Sequence, residues 1–192
     1  NGDVEEVTAF AGVRGHERIE VEDVAAATLR FRNGAFGVIE GSTACFSTVG
    51  LPQKIQLCGT QGTVFLEGDK LSRWEFAEEL DGDEKTRQRF APQDRTGIGS
   101  KDPMAISFRG HQRCFEDMVR AIRHGGQPET DGAEGRRAVE LILAIYQSAW
   151  ESGERIRLPL TQTPEYRSFA DQGDGLSVSR GEHLVEPQNQ QS

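Results

Sequence analysis

The sequence is short of the features that mark membrane spans, disulfide scaffolds and metal sites. No uninterrupted apolar run approaches the ~20 residues that a helix needs to cross a bilayer. The three cysteines, Cys45, Cys58 and Cys114, lack C-x-x-C spacing and leave an odd thiol, which favours a reducing, cytoplasmic compartment over a disulfide framework. No second histidine or cysteine lies at ligand spacing from His16, so no metal is expected.

Phosphate-binding patterns are lacking as well. Neither G-x-G-x-x-G at the start of a helix nor G-x-x-x-x-G-K-[ST] occurs in the chain. The stretch LCGTQGTVFLEG, residues 57–68, has suggestive glycines, but β-branched and aromatic residues follow where a phosphate loop requires a helix N-terminus. GTQG is therefore predicted to be a tight turn between antiparallel strands. The chain alone is not expected to bind a dinucleotide.

Positive charge is also in short supply, because the 192 residues carry a formal net charge of −9. Such a chain meets nucleic-acid phosphates with like charge, so neither nucleic acid nor a membrane is expected as a partner. The sequence begins at Asn1 without methionine and enters a strand-like run almost directly. An excised or truncated domain of a longer protein is one interpretation of that start.

The first half of the chain is patterned as β-strands. Two alternating runs flank Asn33-Gly34, and Asn-Gly in that position is the strongest short hairpin signal. It predicts a two-residue type I′ turn that pairs Phe31 with Phe36. Such a register places both phenylalanines on one face of the sheet.

A second hairpin, Thr63–Phe76, predicts a sheet that is apolar on both faces. Val64 and Leu66 are expected on one face, and Phe65 and Trp74 on the other. Because helices can cover only one of these faces, the second face requires another domain or another subunit.

The second half changes to helical periodicity. HQRCFEDMVRAIRHGG predicts a helix that ends at Gly125, with its apolar stripe formed by Phe115, Met118, Val119 and Ile122. TDGAEGRRAVELILAIYQSAWESG predicts a longer helix capped by Asp131 and ended by Gly153, with a stripe of Ala138, Leu141, Ile142, Ile145 and Ala149. Residues 77–109 are polar and irregular, and are interpreted either as a functional loop or as a solvated insertion.

The predicted fold class is α+β, with a largely antiparallel open sheet, two main helices packed on one face, and the other face left for oligomerisation. Residues 1–160 are expected to form one domain. Residues 161–192 are expected to form a polar, loosely attached tail.

Three stretches in order, EVEDVAAATLRFRNGAFGVIEGST, KIQLCGTQGTVFLEGDKL and HQRCFEDMVRAIRHGGQPETDGAEGRRAVELILAIYQSA, carry a family resemblance. Together they resemble the C-terminal domain of the glucose–fructose oxidoreductase, inositol dehydrogenase and rhizopine-catabolism oxidoreductase (Gfo/Idh/MocA) family. The resemblance covers about residues 2–160.

The resemblance implies an NAD(P)-dependent parent enzyme whose N-terminal Rossmann domain binds the cofactor. The C-terminal domain then helps to bind a small sugar or polyol and builds a homo-oligomer through its open sheet face. The family's G-x-G-x-x-G, E-K-P and D-x-G-x-H motifs are absent from this chain. No catalytic or cofactor-binding residue is therefore assigned here, and hydride transfer by this chain alone is not expected.

His111 is the first candidate for binding substrate, since the family resemblance places a tyrosine or histidine near the substrate at this point. Arg109 and Arg113 flank it and could hold a substrate hydroxyl or carboxylate. The alternatives are an exposed helix-start histidine and solvated surface arginines. Trp74 could stack on a sugar ring, although a core or interface position explains it equally well.

The leading functional prediction is the substrate-binding and oligomerisation domain of an NAD(P)-dependent sugar or polyol oxidoreductase. The alternative is a non-enzymatic module that has lost its cofactor domain and serves only to oligomerise or to regulate a full-length relative.

Overall fold

The structure, a computed structural model, describes residues 3–48, 50–68, 70–90 and 108–170. Within them, the elements in chain order are β1 Val4–Gly12, β2 Val24–Phe31, β3 Phe36–Ser42, β4 Lys54–Gly59, β5 Gly62–Glu67, β6 Lys70–Phe76, α1 Asp83–Arg89, α2 Arg109–His124, α3 Gly132–Trp150 and β7 Ile156–Arg157. The predicted α+β class is confirmed, with the strands divided between two antiparallel sheets. No described helix is long and apolar enough to span a membrane.

The described residues group into two compact units. The first draws on the described residues between 3 and 44 and between 136 and 170, and the second on the described residues between 45 and 135, so that α3 begins at the end of the second unit and continues in the first.

The first unit contains a four-stranded sheet in the order β3-β2-β1-β7, with every pair antiparallel. One face of this sheet packs against α3. The core of this layer consists of Val7, Ala9, Ala27 and Leu29 from the strands, Ala144 and Ile145 from the helix, and Ile156 from β7. These small and branched side chains allow the helix to approach the sheet closely.

The β2–β3 hairpin exists as predicted, but its turn and register differ from the prediction. Gly34 has a φ of 87°, whereas Ser152 is the only non-glycine residue described with a positive φ, so Asn33 does not adopt the conformation that a type I′ turn requires. Instead, Gly34 N–H donates to Phe31 O and Phe31 N–H donates to Ala35 O, both at 2.9 Å. This pattern is a three-residue loop in which glycine supplies the bulge.

The longer loop shifts the pairing by one residue, and the shift changes which face Phe36 occupies. Phe36 lies opposite Arg30 rather than Phe31, and Val38 lies opposite Thr28. Since strand side chains alternate between faces, Phe36 and Val38 leave the α3 side and project from the opposite face. They are 82% and 74% exposed there.

Helix α3 starts as predicted, but the face that it buries is rotated around the helix axis relative to the predicted apolar stripe. Asp131 Oδ1 accepts hydrogen bonds from the backbone N–H groups of Ala133 and Glu134, both at 2.9 Å. Ile142 is 49% exposed, and Ser148 is instead completely buried. Ser148 Oγ accepts from Ala9 N–H at 2.8 Å and donates to Glu154 O at 2.6 Å. A polar side chain therefore lies at the centre of the helix–sheet contact.

The second unit contains a three-stranded antiparallel sheet in the order β4-β5-β6. Gly59 and Gly62 are paired around Thr60 and Gln61, so the GTQG segment is a tight turn between strands, as predicted.

The predicted two-sided apolar character of the Thr63–Phe76 hairpin is wrong. Val64 pairs directly with Trp74, so these two side chains share a face, while Phe65 pairs with Arg73 on the other face. A register irregularity after Phe65 returns Leu71 to the side of Leu66, so that Val64, Leu66, Leu71 and Trp74 share one face and only Phe65 of the predicted second apolar face remains on the other.

Part of the irregular segment 77–109 is helical. Asp83 is buried at the start of α1, where its carboxylate accepts from Trp74 Nε1–H at 2.9 Å and from Leu80 N–H at 2.8 Å. The hydrogen bond from Leu80, followed by that from Trp74, lowers the pKa of Asp83. Residues 91–107 of this segment lie outside the described residues.

Residues 161–170, the first part of the predicted tail, belong to the first unit and pack within it. Phe169 is only 2% exposed and packs with Ala149 and Trp150. Its N–H donates to Glu20 O at 2.9 Å, and Tyr166 O–H donates to the same oxygen at 3.1 Å. The remainder of the predicted tail, residues 171–192, lies outside the described residues.

Candidate functional site

The candidate site is a groove along helix α2 in the second unit. The periodic apolar residues of this stretch form a helix, as predicted, and Gly125 ends it with a φ of 69°. The helix presents a strongly apolar stripe that its unit leaves largely uncovered: Phe115 is 72% exposed and Ile122 is 74% exposed. Exposed apolar area of this kind on a helix marks a contact or ligand surface.

The groove is an open depression of about 670 Å³ along one side of α2, lined by Phe108 and by residues of that helix. Its walls are mainly apolar and are formed by Phe108, Phe115 and Val119. The polar groups along it include His111, Glu116 and Arg123. Apolar walls with a few polar groups are the usual composition of a small-molecule site.

His111 lies in the first turn of α2 and lines the groove. Its imidazole can donate to or accept from a hydroxyl group, which suits a polyhydroxylated ligand. At the far end of the same groove lies His124, in the last turn of the helix. The groove therefore carries one imidazole near each end.

The two predicted arginines are placed differently from His111. Arg113 lies two residues further along, about 160° away around the helix, and is not among the residues that line the groove. The structure therefore does not bring Arg113 together with His111. Arg109 begins α2, and its side chain lies outside the described residues.

Other polar side chains of α2 are engaged locally. Gln112 Nε2–H donates to Glu116 Oε1 at 2.7 Å, which orients the one carboxylate along the groove. Asp117 pairs with Arg120 and also accepts from Glu129 N–H at 2.7 Å. Asp117 therefore ties α2 to the segment that leads to α3.

Trp74 occupies a structural position. Its indole N–H is held by Asp83, and its ring meets the edge of Phe76 with ring centroids 5.1 Å apart. The alternative of a core or interface residue therefore describes Trp74 better than a sugar-stacking platform.

A second polar cluster, in the first unit, organises the loop between β1 and β2. Asp23 has a completely buried carboxylate that accepts from the backbone N–H groups of Arg14, Gly15 and His16 at 2.7–2.9 Å. His16 Nδ1 lies 3.0 Å from the same carboxylate. Burial alone would raise the pKa of Asp23, but these hydrogen bonds outweigh it and lower the pKa to about 2.

Sequence reasoning did not anticipate this hydrogen-bonded cluster around Asp23, here called the buried clasp, or the contact between Tyr146 and the adjacent Glu22. Tyr146 O–H donates to Glu22 Oε2 at 2.5 Å, and burial together with this hydrogen bond raises the pKa of Tyr146. The available signal was the carboxylate pair Glu22-Asp23 directly before a strand and after a glycine-containing loop. Among the residues that the structure covers, no group of three or more His, Cys, Asp or Glu side chains is arranged to hold a metal ion.

The fold and sequence define the class to which the chain corresponds. Residues 1–65 match the sequence model described as GFO/IDH/MocA C-terminal domain. The predicted resemblance is confirmed, and the chain carries a C-terminal domain of the kind found in NAD-dependent, dehydrogenase-like oxidoreductases. No curated protein matches the sequence significantly.

Three solved structures illustrate the likeness. The WlbA dehydrogenase from Bordetella pertussis, in complex with NADH and UDP-GlcNAcA, is 33% identical with a TM-score of 0.68, over 83% of this chain and 43% of that one. The Chromobacterium violaceum WlbA dehydrogenase, with the same two ligands, is 28% identical with a TM-score of 0.64, over 84% and 42%. A levoglucosan dehydrogenase in complex with NADH and L-sorbose, 21% identical with a TM-score of 0.55 over 82% and 45%, shares the fold.

The chain spans less than half the length of each of these relatives. The cofactor fingerprint G-x-G-x-x-G is also absent from its sequence. In the Rossmann fold, that glycine turn and the helix N-terminus behind it hold the pyrophosphate of the dinucleotide.

Proposed function

We propose that this chain is the substrate-binding and self-associating part of an NAD(P)-dependent oxidoreductase that acts on a sugar or polyol. In this proposal the cofactor binds to a Rossmann domain of the parent protein. The 33% identity to a dehydrogenase that holds both NADH and UDP-GlcNAcA carries the proposal. The groove along α2, with His111 at one end, supports it.

We further propose that the substrate is an acidic, nucleotide-linked sugar. The Bordetella pertussis and Chromobacterium violaceum WlbA dehydrogenases, which are 33% and 28% identical to this chain, are both in complex with UDP-GlcNAcA. His111 is proposed to hydrogen-bond a sugar hydroxyl over the apolar wall formed by Phe108 and Phe115. Arg109, at the start of α2, is proposed to hold the substrate's negative charge, whereas Arg113, which does not line the groove, is left out of this contact.

Isothermal titration calorimetry of this chain with NADH and with NADPH tests the division of labour. Neither cofactor should bind with micromolar affinity, because the pyrophosphate-binding turn is not in this sequence. Micromolar binding of either would contradict the proposal.

The substrate site can be tested with a matched pair of histidine variants. UDP-GlcNAcA should shift the NMR resonances of His111 and its neighbours, and H111A should abolish these shifts. H124A, at the other end of the same groove, should leave them intact. Equal effects of both variants would remove His111 from the proposed site. A chain that self-associates but binds no sugar nucleotide would favour the non-enzymatic module.

We propose that the chain self-associates through the sheet face of the first unit that lies opposite α3. Phe10, Phe36 and Val38 project from this face and are 66%, 82% and 74% exposed. Thr8 and Thr28 lie beside Val38 in the middle of this face, while Arg30 lies opposite Phe36 and Glu40 lies opposite Ala26 in the row of Phe10. Apolar residues at this level of exposure are characteristic of a surface that binds another protein surface.

Charged residues border this apolar centre. Arg30 lies 3.1 Å from Glu6 and 3.3 Å from Glu5, and Arg155 lies 3.6 Å from Glu6. These carboxylates are matched by arginines on the same subunit, so a second copy need not neutralise them. An apolar centre with a polar rim is the usual anatomy of an interface. The three free cysteines are consistent with a cytoplasmic setting.

A further inference from the structure

We propose that Asn33, at the tip of the β2–β3 hairpin, is a site of spontaneous deamidation. Asn33 is exposed and precedes Gly34. A Cβ atom built on Gly34 would have no neighbouring atom within 4 Å, so the tip of the hairpin is open. Asn33 Oδ1 accepts a hydrogen bond from Ala35 N–H at 3.1 Å. This contact fixes the side-chain amide beside the backbone of the hairpin tip.

The reaction needs only water. The backbone nitrogen of Gly34 attacks Cγ of Asn33, a C–N bond forms, and the Cγ–Nδ2 bond breaks. The proton lost from the Gly34 nitrogen leaves with the amide as ammonia, which gives a five-membered succinimide. Water then opens either carbonyl of the ring and produces aspartate or isoaspartate. No oxidant, reductant or cofactor takes part.

The hairpin also slows this reaction. The attacking nitrogen of Gly34 is engaged with Phe31 O at 2.9 Å, and that hydrogen bond must open first. Conversion in the folded protein is therefore slower than in the unfolded chain, where the bond is absent. The rate reports how often the tip of the hairpin opens.

The chain offers an internal reference with the same following residue. Asp131 precedes Gly132, but its carboxylate caps α3 through two backbone N–H groups. An ionised carboxylate is a poor electrophile, so the Asp131-Gly132 pair lacks the reactive amide that Asn33 carries. Residues 131–132 should stay unmodified while Asn33 reacts.

Isoaspartate would insert an extra methylene group into the main chain between β2 and β3. The Phe31–Ala35 hydrogen bond fixes the one-residue shift that projects Phe36 and Val38 from the uncovered sheet face. Modification would loosen that register and add a negative charge beside Arg32. This consequence, unlike the modification itself, rests on the self-association proposed above.

Peptide mapping of the complete chain tests the modification. The folded protein is incubated at mildly alkaline pH and physiological temperature, and is then digested by a protease that cleaves after glutamate. Cleavage after Glu22 and Glu40 releases residues 23–40 with Asn33 inside, separate from the Asn1-Gly2 pair. Aspartate and isoaspartate forms of this peptide should accumulate, several-fold more slowly than in the urea-denatured chain, and N33Q should give neither form.

Two results would overturn the proposal. One is an unchanged 23–40 peptide from folded protein after a period in which the denatured chain has largely converted. The other is equal isoaspartate formation at residues 131–132, which would indicate general ageing of the chain. Sedimentation of fresh and aged protein tests the effect on self-association separately. If Asn33 is modified and self-association is unaltered, the deamidation site is confirmed and the sheet-face interface is contradicted.

Discussion

At the scale of single residues, Ser148 shows how a polar side chain can hold an apolar layer in place. Strand β7 pairs with β1 only at Glu6 and Val7, so the N–H of Ala9 lies beyond the end of β7. Ser148 Oγ accepts from that N–H. A buried donor left without an acceptor costs the full desolvation of that group.

We therefore expect Ser148→Ala to lower the free energy of unfolding by about 1–3 kcal/mol. Urea unfolding followed by circular dichroism measures the change. Ser72→Ala is the matched control, because Ser72 is exposed and makes only a 3.3 Å hydrogen bond to Phe65 O. That variant should lie within about 0.5 kcal/mol of the parent chain. Equal losses for the two serines would contradict the assigned role of Ser148.

Asp23 gives the chain a pH dependence whose sign follows from its lowered pKa. The pKa of the Asp23 carboxyl is 3.8 in an unperturbed side chain and about 2 in the folded protein. The stabilisation is therefore complete above the unfolded pKa and is lost as pH falls towards the folded value. The difference corresponds to about 2 kcal/mol at neutral pH.

Asp23→Asn should destabilise the protein at neutral pH and flatten the fall in stability between about pH 4 and pH 2. Urea titrations across this range test both effects. Asp81→Asn removes a carboxylate from an exposed position and serves as the control. If the stability of Asp23→Asn fell between pH 4 and pH 2 as steeply as that of the parent chain, the Asp23 carboxylate would not be the source of this pH dependence.

At the scale of elements, the helix boundaries could be predicted, whereas the buried face of α3 was predicted only in part: Ile145 and Ala149 are buried as predicted, and Ile142 is exposed. Caps and stops are local: Asp131 at the start of α3 and Gly125 at the end of α2 act on backbone groups within a few residues. The face that α3 buries depends on the sheet against which the helix packs. Ser148 is buried there, where its Oγ accepts from the Ala9 N–H of β1, whereas Ile142 is exposed.

The hairpin register failed as a prediction for a similar reason. Asn-Gly indicates a turn, but it does not by itself distinguish a two-residue loop from a three-residue loop with a glycine bulge. The difference is one residue, and it moves every following side chain of β3 to the other face. The candidate site was predicted only to the extent of His111, because no local signal shows which sides of α2 a groove will occupy.

The cap of α3 provides an element-scale prediction. Asp131→Ala removes the acceptor for two N–H groups in the first turn, and should cost about 1 kcal/mol of stability. Glu129→Ala, two residues earlier and exposed, is the control and should have little effect. Hydrogen exchange should show the loss of protection confined to the first turn of α3. Loss spread evenly along the helix would indicate that the cap does not act locally.

At the scale of the whole molecule, the register shift of β3 supplies the argument for self-association. The predicted register would have placed Phe36 against α3, whereas the observed register leaves it 82% exposed beside Val38. Fully burying a valine or phenylalanine side chain is worth about 1.5–3 kcal/mol. Two copies of this face would bury several such side chains at once, and this gain is the physical basis of the proposed self-association.

Val38→Lys should therefore weaken self-association by at least about tenfold, since it places a charge in the apolar centre of the proposed interface. Val139→Lys is the matched control: Val139 is 57% exposed on α3, away from that face, and the same substitution there should leave association unchanged. Sedimentation equilibrium over a range of concentrations measures both constants, and circular dichroism checks that each variant is folded. A parent chain that stays monomeric at every concentration, or a Val139→Lys variant as weak as Val38→Lys, would show that this face does not pair two copies.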